Sequence, residues 1–247
     1  MRTYRLVLAL AILDTTSVWP WALKKELEQQ RPRQLCLTSK ALKNHRLRYS
    51  LRQSRPDPQT RVEIQAALGL WLEHFPPTSI ESVEPGQPCD LSVEFGATPA
   101  GDTSQGAFTA VGEDCMIVRI NTDHVWHERR GIPGNANGDY FWQPFKALAG
   151  PGESLPSLIA ASRSQTLDQF ASQRGFSHST VFWTTYHTFI HEFGHAFGLA
   201  DTNQLMESQS PPAWRSAGPQ PNSVMQTSNF FYLTPDDLAG LRCLQTL

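Results

Sequence analysis

The sequence predicts an α+β domain, on three observations. Five short runs with strand character fall at 46–51, 80–83, 90–95, 107–111 and 115–121. A long segment of helical period sits between the first two, and others follow the last. With 247 residues, 40% apolar and 18% charged, the chain has the size of one domain with accessories, or at most two small domains, and the composition of a globular protein. Its net charge of −2 carries no global signature of nucleic-acid binding.

At the N-terminus, Arg2 and Arg5 precede an apolar run at 6–13 that is too short to span a bilayer. This pattern fits a secretory signal, so residues 1–22 are expected to be a signal peptide and the protein secreted or periplasmic. Residues 23–44 form a basic N-terminal segment, with a short pro-segment as an alternative. Positions 24–61 hold 11 Lys or Arg against 3 acidic residues, whereas 8 basic and 19 acidic residues lie from 62 onward. Either the basic stretch packs on the acidic body or it is a surface-binding arm. The main domain is expected at 45–247, with an insertion at 127–179. Four cysteines, Cys36, Cys89, Cys115 and Cys243, are an even number in an exported chain and favour two disulfides.

Residues 46–51, Arg-Leu-Arg-Tyr-Ser-Leu, alternate as a strand does. Asp57-Pro58 then starts a helix, Asp as the cap and Pro where the backbone N–H has no partner. That helix places Ile64, Leu68, Trp71 and Phe75 on one face, and Pro76-Pro77 ends it. A Pro85-Gly86 turn divides the strands at 80–83 and 90–95. One helix, 158–173, is expected within the insertion. The stretch 181–198 reads as a single helix, and Phe182, Tyr186, Phe189, Phe193 and Phe197 make it apolar nearly all round, hence buried. A Pro- and Ser-rich loop covers 206–223, and a last helix begins at Thr234-Pro235-Asp236-Asp237. No internal repeat is visible.

The stretch His191-Glu192-Phe193-Gly194-His195-Ala196-Phe197-Gly198-Leu199-Ala200-Asp201 carries the chemistry. Residues four apart share a helix face, so His191 and His195 can offer two imidazoles to one metal ion. Glu192 stands beside them, where a carboxylate can take a proton from an activated water. Gly198 stops the helix and lets the backbone return, bringing Asp201 round as a third ligand. Two His and one carboxylate leave a fourth position open, the layout of a catalytic zinc site.

The order of elements, together with these residues, resembles the metzincin zinc metallopeptidases, the matrixin branch most closely. The resemblance covers about 200 residues, from Arg46 onward. Its pieces include Leu47-Arg48-Tyr49, Ala66-Ala67-Leu68-Gly69-Leu70-Trp71, Asp90-Leu91-Ser92-Val93-Glu94-Phe95, the His-Glu-Phe-Gly-His motif, and 233–241 with its Leu-Thr-Pro-Asp-Asp. Ser223-Val224-Met225 resembles the family's Met-turn, with Met225 as the apolar floor beneath the metal. At Asp201 the chain departs from most metzincins, which carry His, and is similar to snapalysin-like peptidases. A carboxylate oxygen binds zinc at about 2.0–2.2 Å, close to the distance for imidazole.

The resemblance implies a five-stranded mixed sheet with two long helices, a Met-turn and a C-terminal helix. It further implies one catalytic zinc ion held by His191, His195 and Asp201, with Glu192 as general base and then acid. The substrate is a peptide or protein lying along the edge strand, with Ala107, Phe108 and Thr109 lining the cleft and Phe231 and Tyr232 as pocket candidates or plain core. The strands beginning at Cys89 and Cys115 would lie side by side, which implies a Cys89–Cys115 disulfide and leaves Cys36–Cys243. A monomer with no nucleic-acid partner and no membrane span is expected. Competing functions are a catalytically silent binding or adhesion module of the same fold and a hydrolase of non-peptide amides. Among secondary signals, Asn135, Asn137 and Asp139 space oxygen side chains like a calcium (Ca2+) loop or form a plain turn. Asp123, His124 and His127 are candidates for a second zinc. Cys36 is a candidate latency cysteine, though Gln34-Leu35-Cys36-Leu37 lacks the family signature. His187, one turn before His191, reads as a core or surface residue and not a ligand.

Overall fold

The computed structural model describes residues 21–22, 37–52, 58–96, 107–112, 114–121, 140–143, 145–175, 181–199, 215–216, 223–225 and 231–245. In chain order the elements are β1 (Trp21–Ala22), α1 (Leu37–Asn44), β2 (Arg46–Arg52), α2 (Pro58–Leu72), β3 (Ser79–Val83), β4 (Leu91–Gly96), β5 (Ala107–Val111) and β6 (Met116–Asn121). Then come β7 (Tyr140–Gln143), a 3-10 turn (Phe145–Leu148), α3 (Leu155–Ser162), α4 (Leu167–Gln173), β8 (Val181–Thr184), α5 (Thr185–Phe197), β9 (Arg215–Ser216) and α6 (Pro235–Gln245).

The architecture is α+β, built on a five-stranded mixed sheet of order β3-β2-β4-β6-β5. The first four strands are parallel, and β5 runs antiparallel to β6 at the edge. Register puts Tyr49 beside Leu91 and Leu91 beside Met116, with Leu51, Val93 and Val118 in the next row. These rows are buried because apolar side chains two apart fall on one face of the pleat. On the other face Glu94 lies between Arg119, at 2.6 Å, and Arg52, at 3.5 Å.

The helices close the core from their own apolar residues. α5 lies against β5 and β6 and against α2, while α1 lies against β2. Trp71 of α2 donates its indole N–H to the Ile190 carbonyl at 3.0 Å and stacks on Phe197. A second aromatic nest joins the insertion to α5: Phe145 and Phe170 pack with Tyr186 and Phe231 at centroid distances of 5.1 to 6.2 Å. Leu37 and Ala41 of α1 are fully buried in the same core, which therefore begins ahead of residue 45. The basic stretch pairs with the acidic body, Lys40 and Arg48 with Asp90 and Arg46 with Glu81.

Two elements differ from expectation. Residues 181–184 are a strand parallel to β7, so the helix starts at Thr185 and Phe182 belongs to the strand. The helix expected at 158–173 is two helices, α3 and α4, divided by a turn at Arg163. As the parallel pairing requires, the segments before β4 and β6 start side by side, with Cys89 and Cys115 as neighbours. Both are free thiols rather than the expected disulfide. Burial and a hydrogen bond with Cys89 push Cys115 up to about 12, so it stays protonated. Cys36 and the Cys243 side chain lie outside the described residues. No helix among the described residues is long and apolar enough to cross a membrane.

Candidate metal centre

Local signals fix the helix that carries the motif. Thr184 has an extended backbone and its side chain accepts from the His187 N–H at 3.1 Å, capping the start of α5. At the other end Gly198 takes φ 115°, a left-handed conformation open to a residue without Cβ. Gly198 and Leu199 both donate to the Gly194 carbonyl, at 3.1 and 2.9 Å, and Thr38 of α1 donates to the Phe197 carbonyl at 2.6 Å. The turn after the helix is thus held from two sides. Its N-terminal half is tied by a buried carboxylate: Thr185 donates to Glu63 of α2 and accepts from the Phe145 N–H at 3.1 Å.

His191 and His195 face one another one turn apart, with ring centroids 4.9 Å apart and planes at 88°. Each Nδ1 lies 2.8 Å from a backbone carbonyl, that of Val224 for His191 and that of Leu199 for His195. A carbonyl only accepts, so Nδ1 carries the proton and the lone pair sits on Nε2. Such outer partners orient imidazoles that bind metal and raise their basicity. The donor chemistry of the pair therefore fits zinc. Asp201, the expected third ligand, lies outside the described residues. Among the described residues no set of three His, Cys, Asp or Glu side chains converges as a metal site.

Glu192 is buried beside the pair, and its Oε2 accepts from the Thr109 hydroxyl at 2.7 Å. The same hydroxyl lies 2.9 Å from the Glu192 carbonyl. Below the helix, Ser223, Val224 and Met225 are fully buried. A Cβ on Gly194 would overlap Met225 Sδ and come within 2.9 Å of the Trp71 ring, so only glycine lets the methionine seat there. Asp237 of α6 holds this turn by accepting from Ser223 Oγ, from Val224 N at 3.1 Å, and from Thr234 N and Oγ1 at 2.8 Å each. Burial raises the Asp237 carboxyl above the ordinary carboxylate range, against the pull of these donors.

His187 is buried against Phe231, edge to face, and burial with the charge of His191 lowers it to about 3. It is a neutral core imidazole, as expected. Of the cleft candidates, Ala107 is half-buried on the core, and Thr109 is engaged with Glu192. Only the backbone of Phe108 is described, opposite Arg119. Phe231 is fully buried in the aromatic nest, while Tyr232 is half-buried. The calcium-like loop at 135–139 and the Asp123, His124 and His127 set lie outside the described residues.

Sequence reasoning missed three partners that come from far along the chain: Thr109 on Glu192, Glu63 on Thr185 and Asp237 on the methionine turn. Only Asp237 had a local signal. Thr234 three residues before it makes a reciprocal capping pair, Thr234 N–H to Asp237 and Asp237 N–H to Thr234 Oγ1 at 3.4 Å. Compared with known protein families and with curated proteins, the chain matches no family model and no curated protein.

Proposed function

We propose that the chain is a zinc-dependent endopeptidase of metzincin type. The observation that carries this reading is the pair of imidazoles one turn apart, each fixed through Nδ1 by a backbone carbonyl, with the next residue after His191 a buried glutamate bonded to Thr109 of the edge strand. The mixed sheet with its one antiparallel edge strand, and the buried methionine under Gly194, support the finer assignment.

His191 and His195, with Asp201, would hold the ion. When bound there, zinc supplies a Lewis acid that polarises the scissile carbonyl and acidifies water. Glu192 takes the proton of the attacking water at its carboxylate and passes it to the leaving amine. Among the described residues β5 pairs only with β6, so its other edge can bind an extended peptide through backbone hydrogen bonds. The carbonyls of Val224 and Leu199 keep the ring proton of both imidazoles on Nδ1 and leave each Nε2 lone pair free for the metal.

The test is incubation of the purified protein with casein, with and without a chelator, followed by zinc restoration. Cleavage should vanish on chelation and return with zinc. Glu192→Gln should keep one zinc per chain and lose activity by about 100-fold or more. Cleavage that survives chelation, or full turnover by Glu192→Gln, would overturn the reading. Zinc binding with no cleavage would instead favour the silent binding module.

A further inference from the structure

We infer that Thr109 is the positioning residue for Glu192, holding the carboxyl in place both before and after it takes up a proton. This inference rests on the peptidase reading. Thr109 lies at the centre of β5, with Val118 of β6 as its register partner, so its side chain shares the face of the buried Val118 row. From there it reaches across 83 residues of sequence to the metal helix, 2.7 Å from Glu192 Oε2 and 2.9 Å from the Glu192 carbonyl. Donation to an ionised carboxylate is among the stronger hydrogen bonds.

The hydroxyl holds Oε2 and leaves the other carboxyl oxygen to work on the proton of the attacking water, and that is the mechanistic point. Oε2 accepts whether or not the other oxygen carries a proton, so the same bond persists. A proton carrier thereby keeps a partner in both of its states, and its three rotatable bonds stay frozen through the cycle. Backbone pairing fixes the strand, and a β-branched residue is stiff at χ1, so little entropy remains to be lost at Thr109. Valine has the same shape without the hydroxyl, and serine keeps the hydroxyl with less bulk.

The experiment measures kcat and KM of the zinc-loaded parent, Thr109→Val and Thr109→Ser on one peptide, with zinc content read on each sample. Thr109→Val should keep its zinc and its KM within about twofold while kcat falls about ten- to a hundredfold, the scale of a misplaced catalytic group. Thr109→Ser should recover most of kcat. Full kcat in Thr109→Val, or a serine variant as poor as the valine one, overturns the inference and leaves the peptidase reading intact. An inert parent overturns both. Thermal unfolding of the metal-free protein guards against a folding defect. There Thr109→Val and Glu192→Leu should lower the midpoint by less together than the sum of their separate effects. Additive effects overturn the contact itself.

Discussion

Gly194 sits inside the zinc motif, yet its neighbours are a methionine from one loop and a tryptophan from another helix. Replacing it with alanine sets two effects against each other. Helix propensity favours alanine by about 1 kcal/mol. The new Cβ, however, meets Met225 Sδ and the Trp71 ring, and Trp71 is fixed by burial and its bond to the Ile190 carbonyl. Overpacking of this kind costs about 1–3 kcal/mol, so it should win. Val224, which precedes Met225, supplies the carbonyl that orients His191, so a shifted turn also disturbs a proposed ligand. Gly194→Ala should therefore melt a few degrees lower without metal and bind zinc more weakly by titration calorimetry. A variant that melts higher and keeps its affinity would show that Met225 does not seat there. At this scale the motif spacing gave the facing pair His191 and His195 and the αL conformation of Gly198, because these are local properties of one helix. Thr109 and Glu63 act across 83 and 122 residues, and no local pattern announces a partner so distant.

Secondary elements were legible where periodicity was long and ends were marked. All five strands of the sheet and the helices after Pro58 and Thr234 lie within a few residues of their expected bounds. Residues 181–184 differ from expectation because three apolar residues and a threonine running into a helix have no period of their own, and the partner strand β7 lies about 40 residues earlier. The split of the insertion helix did have a signal. Thr166 and Gln169 form a reciprocal cap, with Thr166 N–H to Gln169 Oε1 at 2.9 Å and Gln169 N–H to Thr166 Oγ1 at 3.2 Å. The register of β4 on β6 also decides a prediction. Leu91 opposite Met116 brings the two free thiols just ahead of them together. Oxidation should join Cys89 to Cys115, closing a loop of about 26 residues and contributing roughly 3–4 kcal/mol. Under oxidising conditions intact mass should fall by about 2 Da, with one crosslinked peptide pair, and reduction should lower the melting midpoint by roughly 10 °C. Two thiols that both alkylate after oxidant treatment would rule the link out.

At the scale of the whole molecule, the question is whether the chain before β2 belongs to the folded body or only precedes it. Composition suggested a break near residue 45, because the basic charge is concentrated ahead of the acidic body. Packing runs across that point. Leu37 and Ala41 of α1 are fully buried, and Thr38 caps the Phe197 carbonyl at the end of α5. Lys40 also reaches Asp90, but an ion pair spaced at 3.7 Å with a partly exposed lysine adds little. Burying the leucine contributes about 2 kcal/mol and the buried hydrogen bond about 1 kcal/mol more. Against a total stability of about 5–15 kcal/mol, such a loss is large. A chain beginning at Arg46 should therefore melt roughly 10 °C below one beginning at residue 30. It should also hold zinc less tightly, since Phe197 adjoins the Gly198 turn and leads toward Asp201. Differential scanning calorimetry and zinc titration of the two chains decide the matter. A detachable pro-segment predicts the opposite, equal midpoints and equal or greater proteolysis in the shorter chain, and that result would remove α1 from the folded body.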